Sequence, residues 1–74
     1  MEAKAMCKAN KYGVRFETRD GTLEDAFHTT NRKSDAVRLA RWSAKNMSCD
    51  DVVRVWVDNL CEELGVASFT TKFA

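Results

Sequence analysis

Residues 48–64 read Ser-Cys-Asp-Asp-Val-Val-Arg-Val-Trp-Val-Asp-Asn-Leu-Cys-Glu-Glu-Leu, and whether they form a strand or a helix decides the fold. As a strand, the stretch sends Val53, Val55 and Val57 to one side and Arg54 and Trp56 to the other. As a helix, it aligns Cys49, Val52, Val53, Trp56, Leu60 and Leu64 in an apolar stripe, capped by Ser48 and closed by Gly65. Four valines fall within residues 52–57. β-Branched side chains lose rotamer freedom on a helix and pack well on a pleated surface, so the strand is favoured. Residues 52–58 are therefore assigned to a strand and residues 59–64 to a turn or short helix. Residues 66–73, where Ala67, Phe69, Thr71 and Phe73 alternate, form a last strand or an extended tail.

The stretch upstream, residues 31–46, is helical. Asn31 and Ser34 are both acceptable N-caps, and Asp35 suits the positive end of the helix dipole. At about 100° per residue, Ala36, Val37, Leu39, Ala40, Ser43, Ala44 and Met47 share one side. Residues this small let a helix approach a sheet closely. Arg38, Arg41 and Lys45 lie opposite, with Trp42 on the flank beside Arg38.

Farther upstream, residues 11–31 read as a hairpin around Asp20-Gly21, a pair suited to a type I′ turn. That turn sets Thr18 opposite Leu23, Phe16 opposite Asp25, Val14 opposite Phe27 and Tyr12 opposite Thr29. Tyr12, Val14, Phe16, Leu23 and Phe27 then share one side, and Arg15, Glu17, Arg19, Glu24 and His28 the other. Asp25 falls on the apolar side, which suggests a sheet edge or a bulge there.

The expected architecture is α+β: β-β-α-β with a fourth strand, in the sheet order 2-1-3-4, all neighbours antiparallel. One helix covers one sheet face. The other face, with Arg15, Arg19, His28, Arg54 and Trp56, is left uncovered.

The chain has 74 residues, 45% of them hydrophobic, with no proline. This size and texture fit one domain over residues 1–74 with a single modest core, and residues 1–10 as a frayed arm. A domain this small gains from dimerisation or a tight partner. Net charge is +1, but residues 1–46 carry ten Lys/Arg against six Asp/Glu, and residues 47–74 two against five. The surface is therefore expected to be polarised. Cys7, Cys49 and Cys61 are odd in number and far apart, which is no disulfide framework. With no signal-like apolar run and no stretch long enough to span a bilayer, a cytoplasmic protein without membrane association is expected.

Little in the chain points to catalysis. Zinc wants four Cys/His ligands, usually in closely spaced pairs, and the chain spreads three Cys and one His widely. A Cys–His nucleophile would need His28 within reach of a thiol. Phosphate-binding glycine loops and HExxH are absent. No catalytic residue, metal or cofactor is therefore assigned. Binding chemistry is better represented. Trp42, Trp56 and Tyr12 among arginines are residue types that anchor protein interfaces. Arg32, Lys33, Arg38, Arg41 and Lys45 with Trp42 also form a basic, aromatic-edged helix side of the kind that contacts nucleic acid. An open strand edge offers pairing with a second copy.

Residues 12–16, Asp20-Gly21, residues 34–42 and residues 52–57 make an outline of short hairpin, Ala-rich helix and Val-rich return strand. In this outline the chain resembles the small inhibitors encoded by phages and mobile elements, above all the anti-CRISPR class. The resemblance implies a protein that occupies a large protein or ribonucleoprotein partner. It transfers no functional residue. We therefore expect a small non-enzymatic inhibitor or adaptor whose contacts are Arg38, Arg41, Trp42, Lys45, Arg54 and Trp56. The alternative is a nucleic-acid-binding protein using the basic helix side.

Overall fold

The computed structural model describes residues 11–24 and 28–74. The expectations for an arm at residues 1–10 and for Asp25 and Phe27 lie outside the described residues. Among those described, four strands and one helix follow in the order β1 (Tyr12–Thr18), β2 (His28–Thr30), α1 (Lys33–Lys45), β3 (Val52–Asn59) and β4 (Leu64–Thr70). The sheet order is β2-β1-β3-β4 and every neighbouring pair is antiparallel. This is the expected small α+β fold. The valine-rich stretch is a strand that runs to Asn59, residues 60–63 are the turn after it, and the fourth strand is Leu64–Thr70, two residues earlier than expected and ending before Thr71 and Phe73.

The core is where α1 meets the sheet. Ala36 and Ala40 are fully buried and Ala44 nearly so, against Val14, Val52, Val55 and Val57. Tyr12, Phe16, Val37, Leu39, Met47, Val66, Ala67 and Phe69 pack around this centre. With three alanines and Ser43 buried on its inner side, the helix settles close to the sheet and reaches all four strands. The strand alternation is interrupted once in β3. Glu17 pairs with Arg54 and Thr18 with Val52, so Val53 is an extra residue, and Val52 rather than Val53 enters the core.

Three expectations need correction. The first concerns the helix start. Arg32, with φ −113° and ψ 120°, is the N-cap and makes no side-chain capping bond, so neither Asn31 nor Ser34 serves. Its N–H instead donates to Thr30 Oγ1 at 3.3 Å. The helix ends at Asn46, whose backbone N–H and Nδ2 both donate to the Trp42 carbonyl, at 3.0 and 2.9 Å.

The second is the hairpin turn. Thr18 N–H donates to Thr22 O and Gly21 N–H to Thr18 O, both at 2.9 Å. Gly21 has φ +90°, whereas Asp20 keeps a negative φ. The loop is thus the three residues Arg19-Asp20-Gly21, with glycine alone in the left-handed region, and not a two-residue type I′ turn. Asp20 explains the difference. Its Oδ1 accepts from Thr18 Oγ1 at 2.6 Å and from Thr22 N–H at 3.0 Å, which holds a right-handed turn in place.

The third follows from the second. Near the loop Glu17 faces Leu23, and Glu24 N–H donates to Phe16 O at 2.8 Å. At the other end Val14 faces His28 and Tyr12 faces Thr30. Both ends are one residue away from the expected register, in opposite directions. Because side chains alternate, that step exchanges faces. Leu23 moves to the open face, where it is 49% exposed, and His28 moves to the helix side.

The same Asp20 bonds give the fold a pH signature. The Thr18 hydroxyl first, then the Thr22 amide, lower the Asp20 pKa from 3.8 to about 2. A depressed folded pKa contributes stability that is complete above the unfolded value and lost as pH falls through the folded one. Asp20→Asn is therefore expected to flatten the stability profile between about pH 4 and pH 2. Urea melts across that window test it; an unchanged slope in the variant would show that the turn bonds do not form in solution.

Candidate functional site

The six residues nominated by sequence fall on two opposite sides of the molecule. Arg38, Arg41, Trp42 and Lys45 lie on the outer side of α1, all exposed. Arg54 and Trp56 lie on the sheet face that α1 does not cover, because their β1 partners Glu17 and Arg15 point away from the core. One partner surface cannot use all six without wrapping the domain.

The open sheet face is internally matched. Trp56 Nε1 donates to Glu17 Oε1 at 2.8 Å. The Arg54 guanidinium lies over the Trp56 ring, 5.4 Å from its centroid. The ring lies alongside Gly65, where a Cβ would meet it at an ordinary contact distance of 3.7 Å. Arg15 Nε approaches Asp58 Oδ2 at 3.2 Å, an ion pair whose angle falls short of a directed hydrogen bond. Two arginines thus stand beside two carboxylates, and the tryptophan is half-buried with its N–H satisfied. Arg19 is not part of this face. Its Nη2 donates to the carbonyls of Asp50 at 2.9 Å and Phe73 at 3.0 Å, tying the hairpin tip to the chain end. The apolar side chain left open here is Leu23, 49% exposed beside Arg15 and Asp58.

The outer side of α1 is different. Trp42 is 62% exposed, the largest exposed hydrophobic side chain among the described residues. It lines a groove between α1 and the β2 edge with His28, Thr30, Asp35, Arg38 and Leu39. An indole held at the mouth of a groove, with aliphatic, imidazole and guanidinium neighbours, offers both apolar contact and charge-assisted hydrogen bonds. Arg41 and Lys45 turn the other way. They line a second groove toward β4 with Ala44, Ser68, Phe69 and Thr70, and the Arg41 guanidinium lies 5.4 Å from the Phe69 ring centroid. Between the two flanks, Arg38 and Arg41 line one groove with Lys33, Ser34 and Val37, so the cations run across the outer side of the helix.

No protein-family model matches the chain, no curated protein matches it, and no solved structure matches its fold. The site is therefore argued from its own geometry. Among the described residues, no three His, Cys, Asp or Glu side chains converge into a group that could hold a metal. No helix among them is long and apolar enough to cross a membrane. His28 is the residue that sequence reasoning misplaced. A three-residue loop alone would set His28 opposite Tyr12, and the further change of register between Leu23 and His28 that brings it opposite Val14 has no signal in a period-2 pattern.

Proposed function

We propose that this protein is a non-enzymatic binding protein that docks on a macromolecular protein or ribonucleoprotein partner, as an inhibitor or adaptor of the anti-CRISPR kind. The supporting observation is Trp42, 62% exposed beside Arg38, Leu39 and His28 in a groove open to solvent. A half-exposed tryptophan next to arginine is the composition of an interface hot spot, and it has no role in this core. Arg38 and Trp42 carry the contact. Trp56, bonded to Glu17, and Arg54, over the Trp56 ring, are secondary to it.

The test is affinity capture from the native host with the wild-type chain and with an Arg38→Glu, Trp42→Ala double variant as baits. Both residues are exposed, so each change should alter stability by no more than about 0.5 kcal/mol. A hot-spot pair of this kind predicts at least about a thirtyfold loss of partner affinity. Equal capture by the two baits would reject this groove as the site.

The exposed cations Arg32, Lys33, Arg38, Arg41 and Lys45 favour nucleic acid as a second reading. Phosphate contacts predict binding to DNA or RNA that falls steeply with salt, so absence of binding at low salt removes it.

A further inference from the structure

Among the described residues β4 is the long free edge of the sheet, and its seven residues, Leu-Gly-Val-Ala-Ser-Phe-Thr, carry no charge and no proline. Thr71 N–H donates inward to Val53 O at 3.0 Å. By strand alternation the N–H and C=O groups of Ser68 and Thr70 point outward, away from β3. Sheet edges are usually blunted with lysine, proline or brevity, as β2 is with three residues. Only the irregularity at Val66 interrupts β4, near one end. Leu64, at that end, is 58% exposed.

Charge is arranged along this edge with a direction. Beside the Thr70 end stand Arg41 and Lys45 of α1, which share a groove with Ser68, Phe69 and Thr70, and Lys72 follows two residues later. At the Leu64 end stand Glu62 and Glu63, both exposed. A strand with a basic end and an acidic end is self-complementary only when it meets its copy antiparallel, and two-fold symmetry enforces that orientation.

We propose that β4 pairs antiparallel with the β4 of a second copy, centred on Ser68, to make one eight-stranded sheet. Ser68 and Thr70 supply the outward hydrogen bonds. Lys72, Arg41 and Lys45 of one copy face Glu62 and Glu63 of the partner subunit, and both helices lie on the same side of the joined sheet. The Trp42 grooves stay free, since they open on the opposite edges.

Sedimentation of the full chain over a wide concentration range tests this. The wild type is expected to move from 8.4 kDa at high dilution to twice that mass. Ser68→Pro removes an outward N–H that β3 does not use, so it should remain folded and monomeric. Ser68→Lys, which sets two like charges across the two-fold axis, should do the same and decides the matter if the proline variant loses its circular dichroism. Glu62→Lys with Glu63→Lys should raise the dimer dissociation constant about tenfold. A wild type that stays monomeric throughout overturns the proposal and leaves the edge to another chain's strand. So does a dimer that survives both folded Ser68 variants.

Discussion

Ala40→Asp is expected to leave the chain unfolded in water at neutral pH. Ala40 has no exposed surface and lies in the centre of the core, with Ala36 and Ala44 on its own helix and Val14, Val55 and Val57 on the sheet. A carboxylate there has no cation to pair with in that cluster. Either it stays charged in an apolar site or it takes up a proton, and the effective cost is several kcal/mol. A chain of 74 residues has only about 4–11 kcal/mol of total stability to lose. Ala40→Leu separates charge from volume. If the helix is held as close as the small residues Ala36, Ala40, Ser43 and Ala44 imply, the larger apolar group costs about 1–3 kcal/mol through overpacking. Far-UV circular dichroism in a urea titration reads both. A folded Ala40→Asp with an unchanged midpoint would mean that α1 does not lie on the sheet as described. A neutral Ala40→Leu would mean that the helix can ride outward at little cost.

Thr71→Val is expected to destabilise the fold by about 1–3 kcal/mol, although the two side chains have nearly the same shape. Thr71 is buried just beyond β4 and closes the irregular end of β3. Its Oγ1 donates to Val52 O at 2.7 Å and accepts from Phe73 N–H at 3.2 Å, while its N–H donates to Val53 O at 3.0 Å. Val52 and Val53 are the residues at which β3 carries one more residue than β1. An irregular strand frees backbone groups that a regular ladder would bond, and here one threonine satisfies them. Valine keeps the packing and the backbone bond but strands the Val52 carbonyl and the Phe73 amide in a partly buried place. Thr71→Ser restores the hydroxyl and should recover most of the loss. Equal melts for Thr71→Val and Thr71→Ser would show that the hydroxyl is not what holds the chain end.

The proposed partner groove and the proposed dimer edge are at opposite margins of the sheet, so they separate experimentally. Arg38 and Trp42 belong to the β2 side; Ser68 belongs to the β4 side. Sites this far apart with no shared neighbours behave additively. The Arg38, Trp42 double variant should still dimerise, and the Ser68 variants should still present the groove. Two copies would then offer two grooves, and a partner that engages both would be held more tightly than by either alone.

The helix α1 is legible because its small residues follow one period, and β3 because its valines favour a strand over the competing helical stripe. Alanines spaced along residues 36–44 can only be the inner side of a helix lying close to something, and four β-branched valines within residues 52–57 favour a strand. From those two elements and a glycine-marked hairpin came the sheet order, the helix-covered face and the exposure of Arg38 and Trp42. What tertiary structure alone decided was register. Asp20 bonding back to Thr18 and Thr22 selects a three-residue loop, which sends Leu23 to the open face, and a further change of register before His28 sets it opposite Val14 on the helix side. The pairing of Trp56 with Glu17, across 39 residues, and the cover of Arg41 over Phe69 were equally out of reach, because they join strands and helix that no local pattern connects. Periodicity is a property of neighbours in the chain and was therefore legible. Which side chains meet across elements depends on where each turn ends and each strand slips by a residue, and only the folded chain fixes that.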